Sequence, residues 1–94
     1  MKSPTHASVK RFTDIPNIGK AMEKDFALLG IKTPAALAAK DPYALYLKLG
    51  KLTRMRQDPC VLDTFMAAVD FMNGAPPQPW WAYTRFRKEK YPNI

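Results

Sequence analysis

The sequence has one cysteine and one histidine in 94 residues, Cys60 and His6. A single thiol excludes an internal disulfide and any cysteine-based zinc cage, and it fits a reducing compartment. No apolar run approaches the ~18 residues of a membrane span. The residues after Met1 are polar (Lys2-Ser3-Pro4), without the apolar stretch of a secretion signal, so the expected location is the cytoplasm. No run alternates apolar and polar residues as a half-buried strand does, so a sheet is not expected. Phosphate-cradling glycine loops, nucleophile elbows and metal-ligand spacings are missing as well. The expectation is therefore a protein that is not an enzyme and holds no cofactor or metal. Acidic residues are few: 8 Asp and Glu stand against 15 Lys and Arg, for a net charge of +7.

What is present suits one small helical domain. The chain is 47% hydrophobic, enough for a core, and its length fits a single domain. Residues 1–8 read as a flexible end, 9–84 as the domain and 85–94 as a basic tail that frays. Three times a capping side chain precedes a proline: Thr33-Pro34, Asp41-Pro42 and Asp58-Pro59. Proline is favoured at the first helical position, so helices are expected at about 34–39, 42–50 and 59–73. A first helix is expected from Gly19 to about Leu29. Ile18, Met22, Phe26 and Leu29 form its apolar stripe, widened by Ala21 and Leu28. Gly30 supplies a left-handed stop with Ile31 folding back. Residues 51–57 read as a basic loop. The helix 59–73 is apolar on nearly every side, which fits either a central helix or a homodimer interface. The segment 75–79 holds three prolines and reads as an extended strap carrying Trp80 and Trp81.

The segment Ile15-Pro16-Asn17-Ile18-Gly19-Lys20-Ala21 places a tight turn between two apolar anchors and starts a helix directly after it. It resembles the hairpin of helix-hairpin-helix proteins. The first amides of a helix lack intrahelical partners and sit at the positive end of the helix dipole, where a phosphate is stabilised. The candidate nucleic-acid-binding residues are Asn17, Ile18, Gly19, Lys20 and Lys24 at the hairpin, with Lys48, Lys51, Arg54 and Arg56 as a second basic group. Lys10 and Arg11 also lie near the hairpin. Residues 57–84 hold no Lys or Arg, so charge is segregated along the chain. Two readings stand. The hairpin either contacts backbone phosphates without reading sequence or only joins two helices. Asn17 departs from the usual hairpin glycine, and its side chain would either crowd a phosphate or bond to it. The stretch 30–49 reads as a second, degenerate hairpin pair whose turn, with Asp41 and Pro42, is unsuited to phosphate.

Taken together, Ile15-Pro16-Asn17-Ile18-Gly19, Leu29-Gly30-Ile31, the stretch from Asp58-Pro59-Cys60 to Phe71-Met72, and Pro79-Trp80-Trp81 resemble the bacterial pathogenicity-locus family. These pieces cover most of residues 12–88. Members of that family are often labelled mitomycin resistance proteins. The first half is also similar to the C-terminal domain of TfoX-type competence regulators. The fold these resemblances imply is all-α: a helix-hairpin-helix-like (SAM-like) small domain with a fifth, apolar helix and a Pro/Trp-rich C-terminal strap.

Other residues admit plainer roles. Trp80 and Trp81 read as core cover rather than as a platform for unpaired bases. Cys60 begins a helix, where a thiol pKa can fall, but no histidine lies near it in sequence, and it reads as packed and inert. The partners expected are DNA or another nucleic acid, bound weakly and without sequence preference. A protein partner or a homodimer through 59–73 is the alternative. A membrane surface is not expected, because prolines break the amphipathic helix it would need.

Overall fold

A capping side chain followed by proline opens three of the helical segments, and left-handed residues close the longer ones. The computed structural model describes residues 2–94, and among them the protein is all-α, with no strand. Four α-helices follow in order: α1, Lys20–Leu28; α2, Pro42–Thr53; α3, Pro59–Met72; and α4, Thr84–Lys90. Short 3-10 segments lie at His6–Ser8, Phe12–Asp14, Pro34–Ala39 and Trp80–Tyr83. The expected caps are in place. Thr33 Oγ1 accepts from the Ala36 amide at 3.3 Å, Asp41 Oδ1 from Tyr43 at 3.3 Å, and Asp58 Oδ1 from Cys60 at 3.0 Å. The α1 stop is also as expected. Gly30 takes a φ of 80°, and the amides of Gly30 and Ile31 donate to the carbonyls of Ala27 and Phe26, both at 3.0 Å. This arrangement closes a helix end with Ile31 tucked into the core.

Four expectations need correction. The segment 34–39 winds as a 3-10 helix, being too short to gain from α-helical pairing. Helix α2 passes through Gly50 and stops at Arg54, which sits in the left-handed region at φ 55°. The Met55 amide then donates back to the Gly50 carbonyl at 3.1 Å. So 51–53 belong to the helix and only 54–57 to the loop. The basic segment at 85–94 is not loose, because α4 occupies 84–90 and buries Arg87. The expected flexible end also differs at Ser3, which is buried and whose amide donates to the Asp14 carbonyl at 2.7 Å.

Helix α3 is the central element. Leu62 through Val69, then Phe71 and Met72, are all buried, leaving Asp70 exposed. The cover comes from this same chain, namely α2, Pro34–Ala39, Trp80–Tyr83 and α4. No open apolar face of α3 is left for a second copy, so a homodimer through 59–73 loses its surface. The turn before α1 is seated on this core. Ile15, Ile18 and Phe26 are fully buried. The rings of Phe12, Phe26 and Phe65 run in series, with centroids 5.2 and 5.5 Å apart, and link the turn to α3. Ala21 and Leu28 remain exposed, so the buried stripe of α1 is narrower than expected.

Candidate nucleic-acid interface

The turn 15–19 is built from inside out. Ile15 and Ile18 anchor it in the core, and Asn17 between them adopts φ 72°. Asparagine is one of the few residues that tolerate this region. The Ile18 amide closes the turn by donating to the Ile15 carbonyl at 3.1 Å. Gly19 is extended and caps α1 without a side chain, and the first amide to bond back is that of Glu23, to the Gly19 carbonyl. The amides of Gly19, Lys20 and Ala21 thus donate to no protein acceptor among the described residues. All three residues are exposed. A Cβ built on Gly19 would meet nothing within 4 Å. The open amides therefore begin one residue later than expected: Ile18 spends its amide on the turn and its side chain in the core.

Asn17 neither crowds nor meets an anion with its side chain. Its Nδ2 donates to the Gln78 carbonyl at 2.7 Å, and its Oδ1 accepts from the Trp80 amide at 3.3 Å. Both polar atoms are spent on the proline-rich strap. This places Trp80 beside the turn, with Trp81 edge-on to it at 5.6 Å and 64% exposed.

Lys2 is a site residue the sequence did not reveal. Its ammonium donates to the carbonyls of Thr13 at 2.8 Å and Ile15 at 2.9 Å, and to that of Ile18. A positive charge is thereby fixed one residue from the open amides. Partial burial pushes this ammonium below the ordinary lysine pKa, and the carboxylate of Asp14 opposes that shift. No periodicity or motif in residues 1–8 signals such a contact.

The remaining cations divide into groups. Lys20 and Lys24 are exposed and lie one turn apart on the same face of α1. Glu23, half-buried in the first turn, partly offsets them. Lys48 is at the other end of the helix, where its Nζ donates to the Leu29 carbonyl at 3.3 Å. Nine residues of α1 separate the two places, about 14 Å at 1.5 Å per residue. Lys51, Arg54 and Arg56 are exposed, and no hydrogen bond joins them to the turn. Among the described residues the ion pairs are Arg85 with Glu89 and Arg87 with Asp63, so all these candidate cations are free of carboxylate partners.

Cys60 has the opposite of a reactive environment. Burial pushes its thiol pKa up, and hydrogen bonding and charge from Asp58 add to the shift, with Asp63 contributing further. Residues able to hold a metal are not clustered anywhere among the described residues, and no helix there is long and apolar enough to cross a membrane.

Comparison with known proteins places this geometry in context. Residues 5–89 match the sequence model of the family described as pathogenicity locus. A relative from Streptomyces lavendulae, the mitomycin resistance protein McrB, is 42% identical over 76 residues, covering 81% of this chain and 72% of that protein. No solved structure matches the chain.

Proposed function

The chain belongs to the pathogenicity-locus family, and from that premise we propose that it is a non-catalytic, cytoplasmic helix-hairpin-helix module that contacts nucleic-acid backbone through the turn 15–20. The observation that carries this reading is that the amides of Gly19, Lys20 and Ala21, three exposed residues at the start of α1, donate to no protein acceptor among the described residues. A backbone phosphate there meets the positive end of the helix dipole. The ammonium groups of Lys2, Lys20 and Lys24 add charge around it, and Lys48, Lys51, Arg54 and Arg56 give the wider positive field. Contacts of this kind position a protein without reading bases. The affinity should be weak, with a Kd on the order of 10⁻⁴ to 10⁻⁶ M. By likeness to the Streptomyces lavendulae relative, the proposal extends to a part in mitomycin resistance.

The test is a fluorescence anisotropy titration of labelled duplex DNA at rising salt. About three phosphate contacts predict roughly a 40-fold loss of affinity between about 50 and about 200 mM salt. A Gly19→Asp, Lys20→Glu variant is compared with an Ala39→Asp, Lys40→Glu variant, which makes the same charge change at another exposed turn. After both are shown to be folded by circular dichroism, the first should lose binding well beyond the second. Equal losses, or an affinity indifferent to salt, would leave the turn with a purely architectural role.

A further inference from the structure

A cavity of about 380 Å³ lies between α3 and the C-terminal segment, well away from the turn in sequence and built from different residues. We propose that it binds a small, flat organic cation. Its walls are aromatic: Tyr43 at the start of α2, Tyr83 of the last 3-10 segment, and Phe86 and Tyr91 around α4. Tyr43 and Tyr91 stack face to face, with centroids 4.1 Å apart and planes 9° from parallel, so each covers one face of the other and only the outer faces of the pair are left for a further ring. Planar ligands gain from such stacking beyond the area they bury. The volume falls at the small end of the range for small-molecule sites, about 300–1,000 Å³.

The charges at the cavity give the sign of the ligand. Two carboxylates line it, Asp41 and Asp70, against one ammonium, Lys90. In a chain of net charge +7, this is a local excess of negative charge. Tyr83 does not alter the balance, since burial and the Asp70 carboxylate push its phenol up to about 12 and keep it neutral. Neither carboxylate is in an ion pair among the described residues. The aromatic rim also already seats a cation. The Lys90 ammonium lies 5.7 Å from the Phe86 centroid and 5.6 Å from that of Tyr91, within the range of cation–π attraction. Lys90 is exposed and has no carboxylate partner, so it can swing away. It acts as a tethered occupant that a free cation displaces, after which the ring faces and the carboxylates hold the ligand.

Titration calorimetry with N-methylquinolinium tests this on the full chain, beside neutral quinoline and anionic naphthalenesulfonate of similar size. The cation should bind with a Kd on the order of 10⁻⁴ to 10⁻³ M, as suits so few atoms, and about tenfold tighter than either companion. Proton NMR should place the largest shifts on the rings of Tyr43, Tyr83 and Tyr91. Lys90→Ala should tighten binding by about threefold, because it removes both the competitor and a like charge. Asp70→Asn should weaken it by a similar factor. If either variant fails to fold, the ranking of the three probes on the wild-type chain decides. Preference for the anion, equal binding of the neutral probe, weaker binding by Lys90→Ala, or no binding at about 10 mM probe each overturns the assignment. The nucleic-acid reading of the turn is unaffected by any of these outcomes.

Discussion

At the scale of single residues, the strongest polar commitment is Asp63. It is fully buried in α3, where its Oδ1 accepts from Arg87 Nε at 2.8 Å and its Oδ2 from Thr84 Oγ1 at 2.7 Å. Arg87 Nη2 reaches Oδ2 at 3.4 Å. Asp63 raises the pKa of the guanidinium above its already high value, with burial opposing. Both charges are desolvated, so removing one partner strands the other. Arg87→Ala should cost about 3–5 kcal/mol in urea unfolding. The paired replacement Asp63→Leu with Arg87→Met should recover most of that loss, because a well-packed apolar pair substitutes for a buried ionic one. An Arg87→Ala chain as stable as wild type would mean that water reaches Asp63. Neither partner announces itself in the sequence. Asp63 lies in an apolar helix and Arg87 in a run of surface-like charges, and only packing brings residues 24 apart into contact.

At the scale of elements, helix starts were legible because each is written in two adjacent residues. Thr33-Pro34, Asp41-Pro42 and Asp58-Pro59 supply cap and fixed φ together, and each cap forms. Helix ends were legible only where glycine marks them, at Gly30 and Gly74. The end of α2 was not, because Arg54, a residue with no intrinsic preference for φ 55°, is held there by the amide of Met55 bonding to Gly50. A Cβ on Gly50 would press on the Met55 carbonyl at 3.2 Å, so this glycine serves close approach and not helix termination. The caps also carry a pH dependence. Hydrogen bonds from the Cys60 amide and thiol hold the Asp58 carboxyl below its ordinary 3.8, and the Lys10 and Arg11 amides do the same for Asp14. A carboxyl whose folded-state pKa is depressed stabilises the fold above its unfolded value, and that stabilisation is lost as pH falls through the folded one. Thermal melts should therefore show wild type ahead of Asp58→Asn at neutral pH. The gap should close below about pH 3.8. A gap that stays constant into acid would mean that charge contributes nothing to this cap.

At the scale of the whole molecule, Lys2 and the proline-rich strap converge on the turn 15–18. Lys2 holds its carbonyls from one side, and the strap is fastened to it by Asn17 from the other, across 61 and 63 residues of sequence. The asparagine that departs from the usual hairpin glycine thus has a physical account: it accepts the left-handed φ and gains a clamp that glycine lacks. Asn17→Gly should keep the turn while releasing Gln78 and Trp80. About 1 kcal/mol of stability should go with the two hydrogen bonds, and tryptophan emission should shift to the red as Trp80 meets water. Unchanged emission and melting would show that the strap is held by its apolar contacts alone. The same convergence leaves the Gly19, Lys20 and Ala21 amides as the open part of the turn, since the carbonyl side is already occupied.

The sequence by itself determined the helical class, the three cap-proline starts, the glycine stop of α1, the buried anchors Ile15 and Ile18, and the family. Each of these depends on neighbours within about one helical turn, where propensity and capping act. Tertiary structure alone decided that α3 is covered by its own chain, that Asp63 meets Arg87, that Asn17 grips the strap and that Lys2 closes the turn. It also decided that four aromatic rings and two carboxylates enclose one cavity. Those contacts join residues far apart in the chain, and which distant groups meet is settled by how the helices pack around a shared core, not by any local preference of the residues involved.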